Sequence, residues 1–288
     1  MTDPCRRFRD LLHGSICHTA GSVFDPLSAR LAEQAGFEIG IFAGSTASLT
    51  VLGAPDLVVL SHTELADQAR RICRASQLPI LVDADAGYGN ALNVMRTIED
   101  LIVAGIAAAS IEDTLLPTAF GAPKSTELIS LEEGVGKMRA AVDARKTSAF
   151  SILARTSAPN ISSFEDAIQR LQAYEATGVD GLFVVGLKTS AQLHALSSAT
   201  KLPLVLANPP LDVGDDNELA QHRVRLCIRG HQPIMAALEA LRQTYLAQRS
   251  GQPLPALISA AHLASITKAA DYENYKAAFL QADRTTAE

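Results

Sequence analysis

Two aspartates separated by a single residue, Asp83 and Asp85, close a short apolar run and are followed by Gly87 and Gly89. The run 80–82 predicts a buried parallel strand. The carboxylates therefore stand on its rim, and the glycines let the backbone turn tightly behind them. Carboxylates at the edge of a buried strand cost free energy unless a positive group holds them. A hard divalent cation with oxygen ligands is such a group. Mg²⁺ takes one or two protein carboxylates, and Mn²⁺ suits the same donors. A helix N-cap followed by a turn is the plainer reading of the same residues.

The elements on either side must position these groups. Apolar runs at 17–24, 39–43, 80–82, 107–111, 150–154, 181–185, 204–207 and 224–228 predict strands. Stretches at 27–35, 63–76, 92–104, 131–145, 164–176, 191–198 and 234–247 predict the helices between them. The first starts at Asp25 as N-cap with Pro26 behind it, and a short amphipathic helix over 6–12 precedes the whole series. Strands alternating with helices imply a parallel sheet. Eight units over about 230 residues imply an α/β fold of the closed (β/α)₈ TIM barrel type with additional C-terminal helices, a doubly wound open sheet being the alternative. In a barrel the residues just beyond the strand C-termini share one face, where active sites are built. Glu112, Arg155, Asn208 and His231 each follow a different strand and would converge on Asp83.

The chain has 288 residues, 48% of them hydrophobic, and a net charge of -6. That length suits one barrel domain over 1–288, with 251–288 as a helical extension. Segments 256–267 and 272–282 of the extension carry apolar stripes that need a surface, on the barrel or on a neighbouring subunit. The acidic balance argues against nucleic acid or an anionic membrane as partner. Cys5, Cys17, Cys73 and Cys227 are scattered without a CxxC pair, which suggests neither a disulfide framework nor a zinc site and suits the reducing cytoplasm. Arg6, Arg7 and Arg9 are followed by no long apolar stretch, so the N-terminus does not read as a signal peptide. No run approaches the roughly 18 apolar residues of a membrane span.

Leu81-Val82-Asp83-Ala84-Asp85 with Gly87-Tyr88-Gly89-Asn90 resembles the metal motif of the isocitrate lyase/phosphoenolpyruvate mutase superfamily. The resemblance covers most of the chain. It continues through Asp25-Pro26-Leu27-Ser28-Ala29-Arg30, Leu52-Gly53-Ala54-Pro55-Asp56, Ile111-Glu112-Asp113 and Ala154-Arg155-Thr156. It implies a Mg²⁺-dependent barrel, usually a homotetramer built as a dimer of dimers, acting on small keto-acid or hydroxy-acid substrates. By the same resemblance Asp83 is the direct metal ligand, while Asp85, Glu112 and Asp56 hold metal-bound waters. Gly44, Ser45 and Thr46 cradle a substrate carboxylate. Arg155 clamps carboxylate or enolate oxygens, its planar fork suiting that geometry. A structural salt bridge to Glu112 or Asp113 is the alternative for this arginine.

The departures narrow the chemistry. Where the superfamily's C–C lyases carry a cysteine acid in a basic Cys-Gly-His stretch, this chain has Pro117-Thr118-Ala119-Phe120-Gly121. The Lys- and Asn-containing gate of the phosphonate enzymes is missing as well. An added feature is Ile228-Arg229-Gly230-His231, in which Gly230 would bend the chain and turn His231 inward. These features together with Asn208 resemble the oxaloacetate decarboxylase subgroup. The expected activity is that of a carboxy-lyase releasing CO₂ from oxaloacetate and leaving pyruvate enolate, with Arg155 and His231 as catalytic residues and Asn208 and His231 among the substrate contacts. The alternatives are a lyase or hydrolase on a methylisocitrate-like or phosphonopyruvate-like acid, or a non-catalytic keto-acid-binding barrel.

Overall fold

The structure is a computed structural model that describes residues 3–121, 125–146 and 148–280. It contains nine parallel strands in one sheet: β1 (His18–Thr19), β2 (Gly21–Ser22), β3 (Gly40–Ala43), β4 (Ile80–Asp83), β5 (Ala108–Glu112), β6 (Ser151–Thr156), β7 (Gly181–Val185), β8 (Leu204–Ala207) and β9 (Val224–Ile228). β1 pairs with β9 and β2 pairs with β3. Ala20 is the hinge between them, its amide bonding Cys227 while the next amide, from Gly21, bonds Ile39. The single first strand expected over 17–24 is thus two short pieces facing opposite neighbours, and together they close the ring. The fold is a (β/α)₈ TIM-type barrel with extra C-terminal helices.

Compact packing divides the chain into two units, Met1–Ile234 and Met235–Glu288. The first contains every strand. The second includes the helices Ala260–Ile266 and Ala269–Phe279. The expected helix over 272–282 ends at Phe279 among the described residues, and its last two positions lie outside them. No helix of the described residues is long and apolar enough to cross a membrane.

Side-chain alternation along the strands creates two apolar layers. Val82, Ala109, Ile111, Ile152 and Ala154 point outward to the surrounding helices. Ile41, Leu81, Ala108, Leu153, Phe183, Val205, Leu226 and Ile228 point inward and fill the barrel, with Phe8 and Leu12 of the N-terminal helix Pro4–Leu12 packed into the same cluster. Beyond the inward layer, the same alternation puts Asp83, Ser110, Glu112 and Arg155 at the C-terminal mouth. The interior is therefore a packed apolar floor beneath a polar rim.

Outside the rim, a buried polar network ties a loop to the helix shell. Asp113 Oδ2 accepts from Arg170 Nη1 at 3.1 Å and from the Tyr174 hydroxyl at 2.8 Å. Tyr174 is fully buried and lies against Gly134, where a Cβ would stand 2.3 Å from its hydroxyl oxygen. On the same helix a Cβ at Gly136 would meet nothing within 4 Å. Gly134→Ala is expected to displace the tyrosine and cost about 1–3 kcal/mol. Gly136→Ala is expected to be neutral or to gain up to ~1 kcal/mol of helix propensity. Urea unfolding of both variants checks the pair, and equal costs would remove the contact from the account.

Candidate active site

The strand register decides which side chains meet. Asp83 on β4 lies opposite Ser110 on β5. Glu112, at the end of β5, lies opposite Arg155 on β6, and Arg155 lies opposite Phe183 on β7. The bonds follow from those rows. The Ser110 hydroxyl donates to Asp83 Oδ1 at 2.9 Å. Arg155 Nη1 donates to Asp83 Oδ2, and its Nη2 stands 3.1 Å from Glu112 Oε2. The guanidinium carbon lies 5.4 Å from the centre of the Phe183 ring, in cation–π range.

A cavity of about 300 Å³ opens above these residues. Asp56, Asp83, Asp85, Glu112, Arg155, Asn208, His231 and Ser45 all line it. Its remaining wall is apolar, formed largely by Phe183, Val185, Ala207 and Ile228. Gly230 has φ 88, in the left-handed region, so the chain turns there and brings His231 to the cavity. His231 Nδ1 is 2.8 Å from the Ser22 hydroxyl at the end of β2.

The three residues expected to cradle a substrate carboxylate through backbone and hydroxyl follow β3 directly, in the short helix Gly44–Ala47. The Thr46 hydroxyl is buried and donates to the Ala43 carbonyl at 2.8 Å, so it is used within its own turn. Gly44 lies beside Asp85, where a Cβ would come within 2.7 Å of the carboxylate. Gly44 thus makes room for Asp85, and of the three only Ser45 lines the cavity. Asp113, one of the two alternative salt-bridge partners of Arg155, is bonded to Arg170 and Tyr174 instead.

Three contributors had no motif to announce them. Ser110 was a lone hydroxyl in an otherwise apolar strand. Ser22 was the hydroxyl at the end of the first one. Phe183 read as core. Each acts through a neighbouring strand, which residue type alone does not specify.

The electrostatics are lopsided. Four carboxylates line the cavity, and Arg155 is the cation paired with them. Burial first, then repulsion from Asp83, Asp56 and Glu112, pushes the Asp85 carboxyl up to about 8. Burial also raises Glu112, against the pull of Arg155, and raises Asp56 with help from Asp83. Burial lowers His231 below its ordinary value, although Asp83 and Asp56 oppose the shift.

A divalent cation fits this donor set. The oxygens are hard and anionic, the negative charge is under-compensated, and the carboxylates face one volume. Among the described residues no three His, Cys, Asp or Glu side chains are grouped closely enough to hold a metal ion between them.

The chain's likeness to known proteins follows the same lines. The family profile described as phosphoenolpyruvate phosphomutase matches residues 8–248. A protein of Bradyrhizobium diazoefficiens named oxaloacetate decarboxylase is 53% identical over 251 residues, covering 87% of each chain. Among solved structures, 2,3-dimethylmalate lyase, described as a PEP mutase/isocitrate lyase superfamily member, superposes with a TM-score of 0.86 at 25% identity, covering 100% of this chain and 99% of its own. A phosphonopyruvate hydrolase complexed with oxalate and Mg²⁺ superposes with a TM-score of 0.84 at 29% identity, covering 97% of this chain and 100% of its own.

The raised carboxyls have a consequence for stability. Asp85 ionises near 3.8 when unfolded and near 8 when folded. Between those values the folded chain keeps a proton that the unfolded chain has released, so raising the pH destabilises the fold. Without added metal the melting temperature is expected to fall by several degrees from about pH 5.5 to about pH 8. Asp85→Asn, which cannot ionise, is expected to flatten that slope. Differential scanning calorimetry across the range checks both, and a slope that Asp85→Asn leaves unchanged would remove Asp85 as its source.

Proposed function

Because the chain belongs to the phosphoenolpyruvate phosphomutase family, we propose that it is a carboxy-lyase that converts oxaloacetate to pyruvate and CO₂ with the help of Mg²⁺. The observation that carries the reading is the composition of the cavity wall. It offers carboxylates, an arginine, a histidine and an apolar face, and none of the described lining residues is a cysteine or lysine. Cleavage that expels a carbon leaving group as an anion needs an acid to protonate it. In decarboxylation CO₂ departs without a proton, and the enolate left behind can take its proton from water after the bond has broken.

Asp83 would hold the cation directly, with Asp85, Glu112 and Asp56 holding it through water. When bound, the ion supplies a Lewis acid for the keto acid's C1 carboxylate and C2 oxygen. Ser45 adds a hydroxyl donor on the same side. The C3–C4 bond then breaks and its electron pair moves into the C2–C3 enolate, while C4 leaves as CO₂. Arg155 is cationic throughout and stands beside the charge that develops on the enolate oxygen. The apolar side of the cavity formed by Phe183, Val185 and Ile228 suits a carboxylate that loses its charge on leaving.

His231 is the ring closest in chemistry to the leaving carboxylate. Burial keeps it neutral near pH 7. With the Ser22 hydroxyl donating to Nδ1, the proton sits on Nε2, which donates to a substrate carboxylate without contributing full charge. A proton taken up from solvent water at C3 then converts the enolate to pyruvate and completes the balance.

Pyruvate formation from oxaloacetate, followed with purified protein and Mg²⁺, tests the assignment. Metal ions alone decarboxylate oxaloacetate, so the protein-free rate is subtracted. Saturable turnover is expected, with loss of at least ~100-fold in Asp83→Ala and abolition by EDTA that added Mg²⁺ reverses. A rate no higher than the metal blank would overturn the reading.

We also propose a homotetramer. The support is the C-terminal unit, which leaves Leu263, Tyr272, Tyr275, Phe279 and Leu280 exposed, apolar side chains that a neighbouring subunit could cover. Light scattering coupled to size exclusion is expected to return four chain masses, and a monomer mass would exclude any stable assembly.

A further inference from the structure

The helix Leu131–Ala144 buries Gly134, Met138, Ala141 and Ala144, and in the same stripe it buries a lysine. Lys137 is only 3% exposed. A buried ammonium is costly, and burial lowers its pKa against the pull of Glu133, Asp113 and Glu112. An apolar residue would fill this position more cheaply if packing were its purpose.

Its Nζ donates to the Ala86 carbonyl at 3.1 Å. Ala86 belongs to the loop that follows β4 and carries Asp85. That loop is strained, because Asp85 has φ 48 and Tyr88 has φ 62, both in the left-handed region without being glycine. Such a conformation persists only where its surroundings impose it. Three consecutive carbonyls are held from outside the loop. The Glu112 amide donates to Asp85 O at 2.9 Å, Lys137 to Ala86 O, and the Thr97 hydroxyl to Gly87 O at 3.3 Å. Lys137 is the charged member, and a charged donor makes the stronger bond.

We propose that Lys137 is a positioning residue that clamps the strained 85–89 loop and thereby fixes the Asp85 carboxylate in the cavity. The consequence for cation binding rests on the proposed role of Asp85, whereas the clamp itself does not. Lys137 is not among the residues that line the cavity.

Hydrogen exchange on the metal-free protein tests the clamp. In Lys137→Met the peptide covering 84–90 is expected to exchange about tenfold faster, with the strands β5 and β6 unchanged, and Lys137→Arg is expected to restore most of the protection. Mg²⁺ titration by calorimetry is expected to show a dissociation constant raised about tenfold in Lys137→Met. Unchanged exchange in 84–90 would overturn the clamp, as would faster exchange spread evenly over the barrel. If Lys137→Met does not fold, Lys137→Gln, which keeps a donor on a shorter stem, is measured the same way. Wild-type protein that binds no Mg²⁺ would overturn the cation reading alone, since loop exchange would still decide the clamp.

Discussion

The structure turns on a shortage of positive charge. Asp56, Asp83, Asp85 and Glu112 face one cavity, and Arg155 is the cation bonded among them. An isolated buried carboxylate shifts its pKa or finds a partner. This site does both, with Arg155 taken up by Asp83 and Glu112 while Asp85 holds on to its proton. The arrangement is unfavourable as it stands, and its burial is tolerated because the barrel beneath is closed and apolar. The stable fold carries an unstable site, which is the condition under which a bound cation gains most from the protein.

Strand geometry explains how the site is assembled from distant sequence. Parallel strands in register set Asp83 beside Ser110, and Glu112 beside Arg155 beside Phe183. Each of these pairs is more than twenty residues apart in the chain, yet each is adjacent by a ladder bond. Because side chains alternate, one residue of slip would turn this whole row toward the helices. The inward apolar layer of Leu81, Ala108, Leu153 and Phe183 therefore does more than fill volume. It fixes the register, and the register fixes the site.

That distinction marks what the sequence could tell. The strand ends were legible, because an apolar run followed by a charged residue is a local pattern. Asp83, Asp85, Glu112, Arg155, Asn208 and His231 were placed on one face by that pattern and the barrel topology, and all line the cavity. The break of the first strand at Ala20 was not legible, since it arises from having to pair with β9 and β3 in turn. Nor were the orientation of Thr46, which depends on a turn bonding to itself, and the role of Lys137. On its helix Lys137 occupies an apolar stripe, and its bond to the Ala86 carbonyl is visible only in the fold.

The two sides of the cavity point to the same chemistry from opposite directions. One side is rich in charge and can hold a keto acid by the oxygens that do not leave. Strands β7 to β9 add Phe183, Val185, Ala207 and Ile228 to the lining, with Asn208 and His231 just beyond the last two. His231 lies 2.8 Å from the Ser22 hydroxyl, and burial lowers its pKa, which favours the neutral ring. A neutral donor orients a carboxylate without stabilising its full charge, so the ground state is not favoured over a transition state in which that charge is moving toward C2 and Arg155. In the decarboxylation proposed above, electrons would flow toward Arg155 and the neighbouring carboxylates while a neutral molecule departs past Phe183, Val185 and Ile228.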